Sequence, residues 1–424
     1  LRYWDLDYPI RATATAHAQY RAILAEIIAD FGVEAILISS LIGHALDALA
    51  TGLPTVIVAH DYYPFCPAVI IQFGEVCSQC DGSRLERCFA ENDQNRFFRN
   101  VSAEEWLSLR RRFAGLAAAA PVHFVVPTPT VARHWQTLVP ELCTKTFTVI
   151  PHGLDFAPGR LATPPPGERL RVVVLGSLAL QKGRALLEQG WPLIVGRAVL
   201  LLIGCNEDGE HFRHQPGVTL IPRYEYEQLA AVLADFQPEV GLLLSVWPET
   251  FSYTLSELWL LGLPVVATNL GSFADRIEDG INGFRCEPQA AAVAERLLTI
   301  ADNRACLTPI REHLANFRHR PVSAMIADYH ALIPLPVISA PRYFGTVAAV
   351  SPRTEPITPA ILLTIDVRAP FGAVLREFGQ YTSRKLAATP RLRSWQKRGL
   401  AVLLRWSLRV TTALARTRPL DPRR

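Results

Sequence analysis

The sequence predicts an α/β chain of two Rossmann-like doubly wound domains, the first one truncated, followed by a basic helical C-terminal tail. Three observations lead there. Short apolar strands alternate with helical stretches from about residue 13 to residue 333, the pattern of parallel sheets covered on both faces. A stretch with Pro158, Pro164, Pro165, Pro166 and two glycines divides that alternation in two. From residue 390 onward the chain is strongly basic, with ten Lys or Arg against Asp421, a net of +9.

Each element follows from its pattern. Residues 13–31 have helical spacing, with Tyr20, Ile23, Leu24, Ile27, Ile28 and Phe31 on one side, and Gly32 is the stop. Strands are expected at Ala35–Ile38 and Thr55–Ala59, with a helix near 43–50 between them. After Pro121 come a strand at His123–Thr128, a helix to about 138 and a strand at Phe147–Ile150. The second alternation has strands at Arg171–Leu175, Ala198–Ile203, Val218–Ile221, Val240–Leu244 and Pro264–Ala267. Its helices are Lys182–Gln189, Tyr226–Asp235 and Thr254–Leu261. The expected divisions are therefore 1–157, 158–333, and 334–424 for a proline-rich connector and tail.

A complete first domain would begin with a strand and a Gly-rich turn before 13–31. Neither is present, the first residue is Leu1, and the single methionine is Met325, so the first domain reads as incomplete. Half of the chain is apolar and 19% is charged, enough to bury sizeable cores and too little charge for broad disorder. The net charge of +4 gives no case for nucleic acid; it divides into −5 for residues 1–389 and +9 for the tail. The first thirty residues carry seven charges, so no secretory signal is expected, and no apolar run reaches about 18 residues. With eight unevenly placed cysteines, the expected compartment is the reducing cytoplasm.

The chemistry is concentrated in Pro248-Glu249-Thr250-Phe251-Ser252-Tyr253-Thr254-Leu255-Ser256-Glu257, which follows an apolar strand and opens a helix. Glu249 before the helix and Glu257 inside it can face one groove at the strand's carboxyl end. Two fixed carboxylates accept hydrogen bonds from sugar or ribose hydroxyls, and free amides at the helix start suit a phosphate. The plainer alternative is a Glu favouring a helix dipole and another in solvent.

Context extends the motif. Gly262-Leu263-Pro264, Gly271-Ser272 and Glu278-Asp279-Gly280-Ile281-Asn282-Gly283 follow it, and upstream stand Gly176-Ser177-Leu178-Ala179-Leu180-Gln181-Lys182-Gly183 and Val149-Ile150-Pro151-His152-Gly153-Leu154-Asp155. In this order they resemble the retaining GT-B glycosyltransferases of glycosyltransferase family 4, over roughly 13–333. The resemblance makes 1–157 the acceptor-side domain and 158–333 the nucleotide-sugar-binding domain. It implies that Glu257 holds the donor ribose, and that Glu249 sits against the transferred sugar. Phe251, Ser252 and Tyr253 would face the sugar or diphosphate beside Gly176 and Ser177. Lys182 would neutralise the leaving diphosphate with Arg184 near it. Ser177 stands where the family often carries Arg, Gly271-Ser272 replaces Gly-Gly, Asp275 replaces Glu, and His152 replaces Asn.

His60, directly after the Thr55–Ala59 strand, matches a family histidine facing the reacting sugar. Its other reading is a structural His bonded to Asp61 or to a backbone carbonyl. The implied reaction retains anomeric configuration by front-face return, and no cofactor is required for catalysis. The expected partners are a nucleotide-sugar donor and a glycan or lipid-linked acceptor, in bacterial surface polysaccharide synthesis. Other GT-B enzymes, such as a phosphorylase or a sugar-nucleotide epimerase, and a non-catalytic scaffold remain alternatives.

Cys66, Cys77, Cys80 and Cys88 are spaced C-x10-C-x2-C-x7-C. They read as a structural zinc site, or as unlinked thiols or a disulfide. In the tail, Arg391, Arg398, Arg405, Arg409 and Arg416 form a helical stripe beside Leu392, Trp395, Val402, Trp406, Val410 and Ala413. Such a helix suits an anionic membrane surface and peripheral attachment at the inner face, or packing on the body, or docking of another domain.

Overall fold

A computed structural model describes residues 3–95, 98, 100–119, 121–156, 159–165 and 167–333. The connector expected from 334 and the basic helix expected over 390–424 lie outside the described residues. The described residues from Ile10 onward belong to one compact unit.

The chain enters the fold through α1 (Ala18–Phe31). This helix starts five residues later than its apolar spacing suggests. The His17 side chain accepts from the Tyr20 amide, and buried Asp47 accepts from the His17 amide at 2.7 Å, which ends the extended entry there. The segment expected as a helix near 43–50 is a 3-10 turn, Leu46–Ala50. Strands β1 (Ile36–Ile38) and β2 (Thr55–Val58) lie parallel.

Between residues 60 and 120 the chain forms elements that the apolar alternation does not announce. A two-stranded hairpin of β3 (Gln72–Phe73) and β4 (Glu75–Val76) precedes α2 (Gly82–Glu91) and α3 (Ala103–Ala119). Then β5 (Val122–Val126), α4 (Pro129–Leu138) and β6 (Phe147–Val149) complete a four-stranded parallel sheet ordered β1-β2-β5-β6. Trp106, Phe113, Phe124 and Trp135 fill the core against it.

The second half holds β7 (Leu170–Leu175), α5 (Arg184–Ile194), β8 (Ala198–Ile203), β9 (Val218–Ile221) and α6 (Leu229–Phe236). It continues with β10 (Val240–Leu243), α7 (Tyr253–Leu260), β11 (Val265–Thr268), α8 (Ser272–Arg276) and β12 (Phe284–Cys286). Helices α9 (Ala290–Asp302), α10 (Leu307–Ala315) and α11 (Val322–Leu332) end the described part. All six strands are parallel, in the order β9-β8-β7-β10-β11-β12. That is the doubly wound order whose direction reverses once, between β7 and β10. Strands β7, β8, β10 and β11 are buried on both faces, as their continuous apolar runs require, while β9 at the edge is only partly buried.

Helix α11 returns to the first sheet. Tyr329, with Met325 and Leu332, packs against Val56, Val58, Val125 and Ile150. No described helix is long and apolar enough to cross a membrane.

Candidate active site

An open α/β sheet offers its ligand crevice at the carboxyl ends of the strands that flank the switch point. Here the chain leaves β7 at Gly176-Ser177 and β10 at Leu244-Ser245. Two glycines let the surrounding loops approach. Gly183 has φ +88°, and a Cβ on it would lie 2.0 Å from the Leu244 carbonyl oxygen. Gly271 has φ +55°, and a Cβ on it would lie 2.5 Å from the Glu249 amide nitrogen. Across these approaches Val246 N donates to Gln181 O at 3.0 Å, and Ser272 N to Glu249 O at 2.7 Å.

Glu249 is thereby fixed from several sides and is 6% exposed. Its Oε1 accepts from both Lys182 Nζ and Ser245 Oγ. The Lys182 ammonium also lies 5.4 Å from the Trp247 ring centre. Lys182 is one-third exposed at 35%, so a ligand anion can reach it where Glu249 is shielded.

Glu257, inside α7, accepts from the Tyr226 hydroxyl at 3.1 Å. Burial raises its pKa, and the Tyr226 hydrogen bond opposes that shift. Tyr226 follows β9 and packs against Phe156 at 4.5 Å between ring centres. Arg184 pairs with Asp208 and lies 3.7 Å from Glu188, so both its near anions are protein carboxylates.

From the first sheet, His60 stands at the carboxyl end of β2, with Nε2 3.9 Å from Asp61 Oδ2. Its ring lies 6.5 Å from that of His152. His152 in turn stacks on Tyr253 at 5.5 Å and meets Phe251 edge-on at 4.9 Å. The loops after β2, β6 and β10 therefore converge. Burial, with His60 and Arg276 nearby, lowers the His152 pKa to about 4, so it is a neutral imidazole at pH 7.

A second set of contacts joins the halves beside this point. Asp275, in α8, accepts from Thr130 N at 2.7 Å and from Arg133 Nη2 at 3.1 Å, both in α4. Thr128 Oγ1 donates to Thr250 O at 3.1 Å.

The structure thus gathers His60, Glu249, Lys182, Phe251, Ser252 and Tyr253 with Gly176 and Ser177 around the loops described, and sets Glu257 against Tyr226. Sequence reading missed Tyr226 and Arg276, because neither falls at a spacing tied to a ligand. Asp275 and His152 stood out only as departures from a pattern, with no role attached.

The four clustered cysteines lie in the loop and helix that follow β2. Cys66, Cys77, Cys80 and Cys88 line one small cavity with Arg84 and Arg110. All four are free thiols. Arg110 Nη2 donates to Cys80 Sγ and Asn92 Nδ2 to Cys88 Sγ, each at 3.2 Å. Among the described residues no three His, Cys, Asp or Glu side chains are grouped to hold a metal ion.

Residues 169–303 match the family model described as glycosyl transferases group 1. The matched stretch holds both glutamates, Lys182 and the switch point, and its enzyme class is the expected one, a glycosyltransferase. No curated protein matches the chain. Among solved structures, sucrose-phosphate synthase from Thermosynechococcus elongatus is 15% identical over 74% of this chain and 76% of that one, with a TM-score of 0.52. A glycosyltransferase from Rickettsia africae is 15% identical over 74% and 80%, with a TM-score of 0.50. An Anabaena protein solved with UDP and glucose is 14% identical over 73% and 80%, with a TM-score of 0.50. At these identities the likeness is one of fold, the two-sheet GT-B architecture.

Proposed function

We propose that the chain transfers a sugar from a nucleotide-sugar donor to a hydroxyl of a glycan or lipid-linked acceptor, with retention of anomeric configuration. The observation that carries this reading is the buried Glu249, held by Lys182 and Ser245 at the switch point eight residues before Glu257. The donor would lie across the carboxyl ends of β7 and β10. Glu257 would accept the ribose hydroxyls, and Glu249 those of the transferred sugar. Lys182 would turn its charge to the diphosphate as the glycosidic bond breaks. The UDP and glucose in the Anabaena neighbour's structure support a donor of this chemical kind.

In this reading the departing phosphate and the incoming acceptor oxygen share one face of an oxocarbenium-like sugar. The phosphate takes the acceptor proton, which accounts for retention without a carboxylate nucleophile. His152, neutral at pH 7, and His60 beside it would orient hydroxyls on the acceptor side.

The test is a panel of UDP-, GDP- and ADP-sugars screened for thermal stabilisation, then for donor turnover. The expected result is turnover of one donor, lost by at least about a hundredfold in Glu249→Gln, with the product anomer matching the donor by NMR. Stabilisation by no donor, or full turnover in Glu249→Gln, would overturn the proposal.

A further inference from the structure

The backbone at Ser252 is strained, with φ +64° and ψ 92°. A non-glycine residue held there costs on the order of 1–3 kcal/mol and persists only if its surroundings impose it. One side chain grips both peptide carbonyls that flank this residue. Arg276 Nη1 donates to Phe251 O at 2.5 Å and to Ser252 O at 2.9 Å. Its Nη2 donates to Ser256 Oγ at 2.7 Å, one turn into α7. The guanidinium lies 4.1 Å from the Phe251 ring centre and 5.3 Å from that of Trp259.

This cation is partly buried, and burial lowers its pKa to about 9. Among the described residues no carboxylate pairs with it. Withdrawing an arginine from water without a counter-ion is costly unless its donors are used. Here they are used on two carbonyls and a hydroxyl, all belonging to one turn of backbone.

The direction of that turn has a consequence. A trans peptide points its C=O and its N–H to opposite sides. With the Phe251 and Ser252 carbonyls drawn onto Arg276, the Ser252 and Tyr253 amides point away from it. These amides open α7, where no carbonyl one turn earlier can receive them. Amides so presented at a helix start match a phosphate.

We infer that Arg276 is a positioning residue that holds Ser252 in its strained turn so that the Ser252 and Tyr253 amides meet the donor's diphosphate. The inference rests on the nucleotide-sugar reading above. Arg276 itself touches no reacting atom. It acts by keeping two donors aimed before the ligand arrives, which removes the ordering cost from binding.

The experiment compares binding of each nucleoside diphosphate with its parent nucleoside: UDP with uridine, GDP with guanosine, ADP with adenosine. Arg276→Lys keeps the charge but has no planar fork to span two carbonyls. For the diphosphate that the wild-type chain binds, affinity in Arg276→Lys should fall about tenfold, while the nucleoside binds as before because Glu257 is untouched. Unchanged diphosphate affinity overturns the inference. So does a parallel loss of both ligands, which marks a merely structural role. If Arg276→Lys does not fold, Ser256→Ala removes only the Nη2 acceptor and should give the same selective loss at reduced size; no selective loss there overturns the inference too. A wild-type chain that binds none of the three diphosphates overturns the donor reading itself, and this inference with it.

Discussion

His152 is held uncharged at neutral pH by its burial and by the neighbouring His60 and Arg276. Its stabilisation by pH follows from that. The unfolded chain takes up this proton near pH 6.5, whereas the folded chain resists until about pH 4. Stability from this group is complete above pH 6.5 and is lost as pH falls toward 4. Between pH 7 and pH 5 the loss is about 2 kcal/mol. Burial also lowers His44, His123, His134 and His319, which add to the same slope, whereas burial raises Asp61 and Glu257, which oppose it. Urea unfolding at pH 7 and pH 5 should show a smaller drop for His152→Asn than for the wild type. An equal drop would mean that His152 carries its ordinary pKa in the fold. At this scale the sequence was uneven. The Glu249–Glu257 spacing drew attention only through the motifs around it, because a Glu before a helix and another inside it also arise as dipole compensation and a solvated face. Arg276 was illegible because its partners are backbone carbonyls, and carbonyls leave no residue type to search for.

At the scale of elements, the parallel strands were legible because burial on both faces demands uninterrupted Val, Leu and Ile. The region from 60 to 120 was not, and α3 shows why. Its core stripe runs Ala103, Trp106, Leu109, Arg110, Phe113, Ala114 and Ala117. Arg110 breaks the apolar pattern, yet it is buried, donating to Phe65 O at 2.6 Å and to Cys80 O at 2.8 Å. The arginine faces inward because the cysteine-bearing loop offers it carbonyls and a sulfur there. This loop and α2 bring four thiols around one cavity. Burial raises the Cys66 thiol to about 12 and also raises Cys77 and Cys88. Thiols so shifted are poor nucleophiles, while Cys143 is exposed. Titration of the native chain at pH 7.5 with an aromatic disulfide reagent should therefore modify Cys143 first, with Cys66 reacting only on unfolding. Rapid native reaction at Cys66, mapped by mass spectrometry, would show that the α2–α3 layer opens.

Across the whole molecule, the candidate site depends on two halves being held in register. Two of the contacts that do this work by different means. Helix α11 packs Tyr329 against the first sheet, an apolar contact that tolerates small sliding. The Asp275 contact is directional: its carboxylate receives the Thr130 amide in the first turn of α4, where the helix dipole favours a negative charge. Arg133 adds the opposite charge, but it is largely exposed, so the amide bond is the stronger part. Asp275 neighbours Arg276 in α8, so one short helix fixes both the α7 turn and the partner half. Asp275→Ala removes the acceptor and leaves the donor-side loops intact. Nucleoside diphosphate affinity should therefore stay within about twofold of wild type, since the nucleotide contacts proposed above, through Glu257, Lys182 and the Ser252 and Tyr253 amides, lie in the second half. Sugar transfer to the acceptor should fall by about tenfold or more, because a displacement near 1 Å between reacting groups is enough to cost that much. Stability should fall by about 1–3 kcal/mol through the unsatisfied Thr130 amide. Parallel measurement of diphosphate binding, transfer rate and urea unfolding on one preparation separates these effects. If donor affinity drops together with transfer, α8 serves the donor loop alone and the register between halves is set by α11.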